Sequence, residues 1–207
     1  MALDPIKQKV PAILLSASIP TADRPARYFD TADIIAIRDC IKALVAAAVP
    51  NYALIWGGHP SITPMIRLLA QSHPENVVDR FVLYQSRAFI NIAPKDNKFF
   101  PHVIWVDAAS DSKQSLKSLR SRMMTEPNYT AGIFIGGMEG IEEEFDEFRR
   151  ANPDRPAFPI ASTGGAAKFL YQEWSKALRL PPSLESEIAY PFLFRQLLPP
   201  PLLHRQT

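Results

Sequence analysis

A single cysteine, Cys40, stands in 207 residues. One thiol builds neither an internal disulfide framework nor a multi-cysteine metal site. Charge of one sign is also missing: 23 Lys and Arg meet 21 Asp and Glu, for a formal net charge of +2. That balance gives nucleic acid or an anionic membrane no electrostatic claim as a partner. Long apolar runs are absent. The longest, such as the ALVAAAV run at 43–49, fall far below the ~20 residues that cross a bilayer. Lys7 and Lys9 ahead of an apolar stretch imitate a signal peptide, but Ser16 and Ser18 interrupt that stretch early, so no export signal is expected. The four histidines, His59, His73, His102 and His204, lack the close helical spacing of a zinc protease. Neither GxGxxG, GxxxxGK[ST] nor GxSxG occurs, which removes the ordinary marks of a dehydrogenase, a P-loop ATPase and a serine hydrolase. The expectation is a soluble, cytoplasmic domain with no metal, no cofactor, no membrane and no nucleic acid.

Glycine is scarce as well, at 8 residues, while proline is abundant at 20; averages of ~7% and ~5% would give more of the first and fewer of the second. Hydrophobic residues at 47% and charged residues at 21% are ordinary for a folded chain. A chain of this length fits one domain, or one domain with an appendage, and buries roughly 70% of its unfolded surface without disulfide staples.

Apolar runs rich in branched and aromatic residues alternate with helical patterns. Strands are expected at 12–18, 52–58, 81–86, 102–109, 131–137 and 157–162. Between the first two, Asp30 or Thr31 can cap a helix carrying Ile34, Ile37, Ile41, Leu44 and Ala48, with Pro50 ending it. A second helix starts at Ser61 or Thr63, with Pro64 in its first turn and Met65, Ile66, Leu68 and Leu69 along it. A charged helix runs from Asp111 to about Met124, another passes through Phe145 and Phe148, and a last one carries Phe169, Leu170 and Trp174. Continuous apolar strands separated by helices mean a mostly parallel sheet covered on both faces, a doubly wound, Rossmann-like α/β fold. Residues 1–180 form the expected ligand-binding domain. Residues 181–207, with Pro181, Pro182, Pro191 and Pro199–Pro201, read as a short helix and an irregular tail. That tail is either a frayed terminus or an element docking on a neighbouring subunit.

The few glycines mark a site. Gly57-Gly58, Gly136-Gly137 and Gly164-Gly165 each fall at the carboxyl end of an expected strand, before a helix. Open parallel sheets bind ligands at that edge. Glycine there permits positive φ and close backbone approach, and the helix N-terminus that follows presents unpaired N–H groups to an anion. Ser16-Ala17-Ser18 closes the first strand with small, hydroxylated residues. Four strand ends therefore converge on one edge. Turn geometry is the alternative account of each pair taken alone.

The segment FIGGMEGIEEEF at 134–145 resembles the PGGxGTxxE phosphate-binding signature of the LOG-like phosphoribohydrolases. Gly136-Gly137 match the paired glycines, Gly140-Ile141 the GT step and Glu144 the acidic residue. With GGHPSITP at 57–64 and STGG at 162–165, residues 10–175 resemble the SLOG superfamily, and within it the conflict-associated SLOG cluster 3 group. The resemblance implies a nucleotide-derivative ligand of the ADP-ribose type, a role in antiphage defence, and a homodimer. The departures are specific. The motif's proline is Ile135, Glu139 is inserted before Gly140, and the threonine is Ile141. A cradle kept while its catalytic motif is altered implies a sensor rather than an enzyme. If the chain is an enzyme, the resemblance implies an N-glycosidase acting on a nucleoside monophosphate, with Glu144 and Arg87 catalytic. A third reading is an oligomerisation module with a degenerate site. A sensor is expected to act through a separate effector protein or through self-assembly.

The expected ligand contacts are Ser16, Ala17, Ser18, Gly57, Gly58, His59, Ser61, Thr63, Gly136, Gly137, Met138, Glu139, Gly140, Ser162, Thr163 and Gly164. Each has a plain structural alternative. Ser61 or Thr63 can cap a helix, the other hydroxyls can bond their own backbone, and His59 can serve its turn. Arg24 and Arg27 sit over the cleft mouth, where a surface role is also open. Cys40, Trp56, Trp105 and Trp174 are expected in the core.

Overall fold

The computed structural model describes residues 10–49 and 51–198; the expectations placed on Lys7, Lys9, Pro50, Pro199–Pro201 and His204 lie outside them. Six strands form one parallel sheet in the order β4-β3-β2-β1-β5-β6. They are β1 (Ala12–Ser18), β2 (Ala53–Trp56), β3 (Phe81–Ser86), β4 (His102–Val106), β5 (Tyr129–Gly136) and β6 (Ala157–Ile160). The helices are α1 (Ala26–Phe29), α2 (Ile34–Ala48), α3 (Thr63–Ser72), α4 (Ser112–Thr125), α5 (Glu139–Ala151), α6 (Gly165–Trp174), α7 (Ser183–Ser186) and α8 (Tyr190–Leu197). This is the doubly wound, Rossmann-like α/β fold. The strand order reverses between β1 and β5, and a crevice opens above the strand ends at such a switch point.

Every residue of β1 is buried, which is why its sequence runs apolar rather than alternating. Ile13, Leu15 and Ala17 join a core with α2, α3 and α8, while Ala12 and Leu14 join a second core with α4, α5 and α6. Cys40 is fully buried in the first core, and that environment pushes its thiol pKa up. Among the described residues no helix is long and apolar enough to cross a membrane.

Three local expectations are corrected. Asp33, not Asp30 or Thr31, caps α2, accepting from the Ile35 and Ala36 N–H groups at 2.9 and 3.0 Å. Thr31 instead closes α1, donating its hydroxyl to the Arg27 carbonyl at 2.7 Å. Ile34 and Leu68, placed in the apolar stripes of α2 and α3, are exposed. Of the C-terminal segment expected as a short helix and a tail, residues 181–198 are described: α8 lies on α2 and buries Tyr190, Leu193 and Phe194. Pro191 occupies the first turn of α8, where a missing N–H is harmless. Its apolar residues recur at helical spacing that the surrounding prolines obscure.

Candidate functional site

Several strands end earlier than their apolar runs suggest. β2 stops at Trp56 and β4 at Val106. The small residues beyond them leave the sheet and form a rim. Above that rim lies a cavity of about 920 Å³, at the upper end of the ~300–1,000 Å³ typical of small-molecule sites. Its floor crosses the switch point, from Glu139 and Gly140 after β5, past Ala17 and Ser18 of β1 and Gly57, Gly58 and His59 after β2, to Gln85 of β3. The first half of α4 forms one wall with Lys113, Leu116 and Arg120, and Arg24 reaches the cavity from the loop before α1. No side chain caps α5, whose N-cap residue Met138 also lines the cavity. The Ile141 N–H donates to the Met138 carbonyl at 2.8 Å, so the Glu139 and Gly140 amides are the ones left to a ligand or solvent, with the positive end of the helix dipole behind them.

Glu144 is the best-supported polar side chain of this cavity. In α5 the residues Ile141, Phe145 and Phe148 face the core, and Glu144, one turn after Ile141, falls beside them. Ser16 donates its hydroxyl to Glu144 Oε2 at 2.7 Å, and Arg120 Nε donates to Oε1 at 3.4 Å. The Glu144 side chain is 19% exposed and that of Arg120 is 14% exposed. Burial raises the Glu144 carboxyl above its ordinary pKa, against the opposing pull of the Arg120 charge and the Ser16 hydrogen bond. Such a carboxylate can accept from sugar hydroxyls, or hold and release a proton at a reacting atom. Arg120 also pairs with Glu143, and Glu142 pairs with Arg27 at 3.3 Å. Glu142, Glu143 and Glu144 therefore each have an arginine partner.

The arginine that meets Glu144 is Arg120, not Arg87. Arg87 pairs with Asp107 at 3.2 Å and lies over the Trp105 ring at 5.7 Å, away from the cavity wall. The sequence carries a signal for Arg120. Leu119, Met123 and Met124 form the inner apolar stripe of α4, and Arg120 lies beside Leu119, one turn before Met124. A charge beside an apolar stripe needs a buried partner.

Behind His59 a small network sets its proton. Its Nδ1 accepts from the Ser61 N–H at 3.3 Å and faces the Ser61 hydroxyl at 2.8 Å. The neutral ring consequently carries hydrogen on Nε2, an assignment made from this network. Desolvation lowers the His59 pKa, which favours that neutral form. The Ser61 hydroxyl oxygen also accepts from the Ile19 N–H at 3.2 Å. Thr63 is fully buried, accepting from Trp56 Nε1 at 3.2 Å and donating to the His59 carbonyl at 3.1 Å. Neither hydroxyl caps α3, and neither residue lines the cavity.

The remaining corners pack against one another. Gly137 sits at φ +81°, its N–H bonded to the Ser18 carbonyl at 2.9 Å, and a Cβ there would fall 2.0 Å from Ile141 Cγ1. The Gly136 N–H donates to Thr163 Oγ1 at 2.9 Å, and Ala166 donates to the Gly137 carbonyl at 2.9 Å. The Ser162 hydroxyl faces the Tyr190 hydroxyl at 3.3 Å, and the Gly165 N–H reaches Thr31 Oγ1 at 3.2 Å. Gly136, Gly137, Ser162, Thr163 and Gly164 thus weld the β5 and β6 corners together and lie outside the cavity lining. The structure brings the β1, β2 and α5 corners together around the cavity, and the β6 corner lies outside it. Ser16 lies beneath the lining and acts on it through Glu144.

The family model for the SLOG cluster3 family matches residues 27–198. No curated protein matches the chain.

Proposed function

The chain belongs to the SLOG cluster3 family, and from that premise we propose that it binds a nucleotide derivative of the ADP-ribose type as a sensor, without cleaving it. Membership itself points to a nucleotide-related function in conflict systems. The observation that carries the finer reading is the cavity of about 920 Å³ at the switch point, with an uncapped helix N-terminus at one end and an apolar wall at the other. A phosphate sits at the first-turn amides of α5, where no side-chain cation is required. Glu144 takes the ribose hydroxyls. Where the LOG signature has threonine, Ile141 is buried against Gly137 and offers no hydroxyl to a phosphate, which supports binding over turnover. The bound state is passed to a separate effector protein or to a second copy of the chain.

Titration calorimetry with ADP-ribose, its cyclic isomers and NAD tests this. Saturable heat with at least one of them, and no product on prolonged incubation, is the expected result. Neither heat nor a thermal shift with any of them overturns the reading.

A second reading rests on one observation: a carboxyl with a raised pKa, held by Arg120 and Ser16, faces the cavity. That arrangement suits an N-glycosidase, in which Glu144 and Arg120 assist departure of the base. Free base released from a nucleoside monophosphate, and lost in Glu144→Ala, would establish it in place of the sensor.

A further inference from the structure

The floor of the cavity ends at a buried amide that the protein satisfies by half. Along β3, Phe81 and Leu83 face the core shared with α2 and α3, and Gln85 follows them on the same side. An apolar stripe thus ends in a polar side chain where the cavity begins. Gln85 is 5% exposed and lines the cavity. Its Oε1 accepts from the Ser86 N–H at 3.2 Å. Because that backbone donor needs an acceptor, the network assigns the oxygen to Ser86 and turns the NH₂ toward the cavity. No hydrogen-bond partner for Nε2 is present among the described residues. Gln85 lines the cavity, so its two amide hydrogens are left to a ligand or to solvent there.

The chain around Gln85 makes room for it. Gly58 sits at φ +72°, and a Cβ there would lie 2.9 Å from Leu83 Cδ1 and 3.0 Å from Gln85 Nε2. Any other residue at 58 would press on the amide. Beyond β3, Phe89, Ile92 and Pro94 lay apolar surface along the same cavity, and Leu116 of α4 adds to it. This end is distant from the α5 N-terminus. β5 and β3 are separated by β1 and β2, three strand spacings or about 14 Å. One end of the cavity offers helix N-terminal amides, and the other offers apolar surface with the Gln85 amide set at its floor.

We propose that Gln85 is the specificity-determining donor of the cavity, its Nε2 hydrogens meeting an acceptor atom (a ring nitrogen or carbonyl oxygen) of a ligand base seated on the Phe89, Ile92 and Leu116 wall. This rests on the nucleotide reading and adds to it the end of the ligand that is read and the atom type that reads it. A ligand with no ring acceptor there leaves the amide unpaired and forfeits this contact.

The test compares the wild-type chain with Gln85→Glu and Gln85→Leu. The first keeps the oxygen that serves Ser86 and removes both donors; the second removes them without adding charge. Melting curves establish that each variant folds, and Gln85→Glu serves alone if the leucine variant does not. The probes are ADP-ribose, AMP and ribose 5-phosphate, the last having no ring, titrated by NMR so that millimolar dissociation constants are reached. ADP-ribose and AMP are expected to weaken about tenfold or more in both variants, while ribose 5-phosphate changes less than twofold. Unchanged affinity for ADP-ribose and AMP overturns the assignment, as does an equal loss for all three probes. In either case the wild type still binds, so the nucleotide reading stands. A wild-type chain that binds no probe removes both.

Discussion

Glu144 joins the site's chemistry to the stability of the fold. An unfolded glutamate titrates near ~4.3, and burial raises the folded value above the ordinary range. Below both values the carboxyl is protonated in either state and contributes no pH dependence. Between them the folded chain holds a proton that the unfolded chain has lost, so stability falls as pH rises through that window. Denaturant unfolding of wild type and Glu144→Gln from pH 4 to 8 isolates the effect. The wild type should lose stability relative to the variant as pH rises, and a difference that moves the other way would remove the raised pKa. Arg120 opposes the shift, so Arg120→Met should carry the window further upward and widen the loss. At this scale the sequence was partly legible. The short signature names Glu144, because Glu144 and the glycines it is matched with lie in one contiguous motif. It does not name Arg120 or Gln85, whose roles depend on which helix and which strand end the fold lays beside that motif.

At the scale of elements, α8 carries the clearest energetic consequence. Phe194 is fully buried in the core between the sheet and α2. Truncating a buried phenylalanine typically costs ~3–5 kcal/mol, a large share of the ~5–15 kcal/mol that holds a domain together. Phe194→Ala should therefore lower the unfolding free energy by about that much in urea denaturation. A loss below ~1 kcal/mol would mean that α8 is not packed into this core. The strands were legible almost residue by residue at β1 and β3, because burial on both faces demands unbroken apolar runs. Their ends were less so. GG after β2 and ST after β6 continue the run of small and apolar residues, but the backbone has already turned there, and turn geometry leaves little trace in hydrophobicity. The α2 cap was displaced for a related reason. Asp30, Thr31 and Asp33 are all competent caps, and only the path of α1 decides which one meets the free amides.

At the scale of the whole molecule, the paired corners have divided labour. The β1, β2 and α5 corners surround the cavity, whereas the β6 corner is closed against β5 and Thr31 by hydrogen bonds within the protein. Sequence alone treats these corners as equals, since each presents small residues at a strand end, a glycine pair at three of them and Ser16-Ala17-Ser18 at β1; only the sheet order, which puts β6 at an edge and β1 beside the switch, separates them. Ligand binding should reveal this division. At a hundred times its dissociation constant a ligand adds ~2.7 kcal/mol to the folded state, which for a chain of this size raises the melting temperature by roughly 5–11 °C. That free energy enters where contacts are made. Hydrogen exchange with saturating ADP-ribose should therefore slow amides at 16–18, 57–59 and the first turn of α5 beyond the general stabilisation. Those of Gly164 and Gly165 should gain only the general part, because they already donate to the Ala161 carbonyl and to Thr31 Oγ1. Equal added protection at both would mean that the β5–β6 weld opens to admit the ligand, and the site would then span all four strand ends.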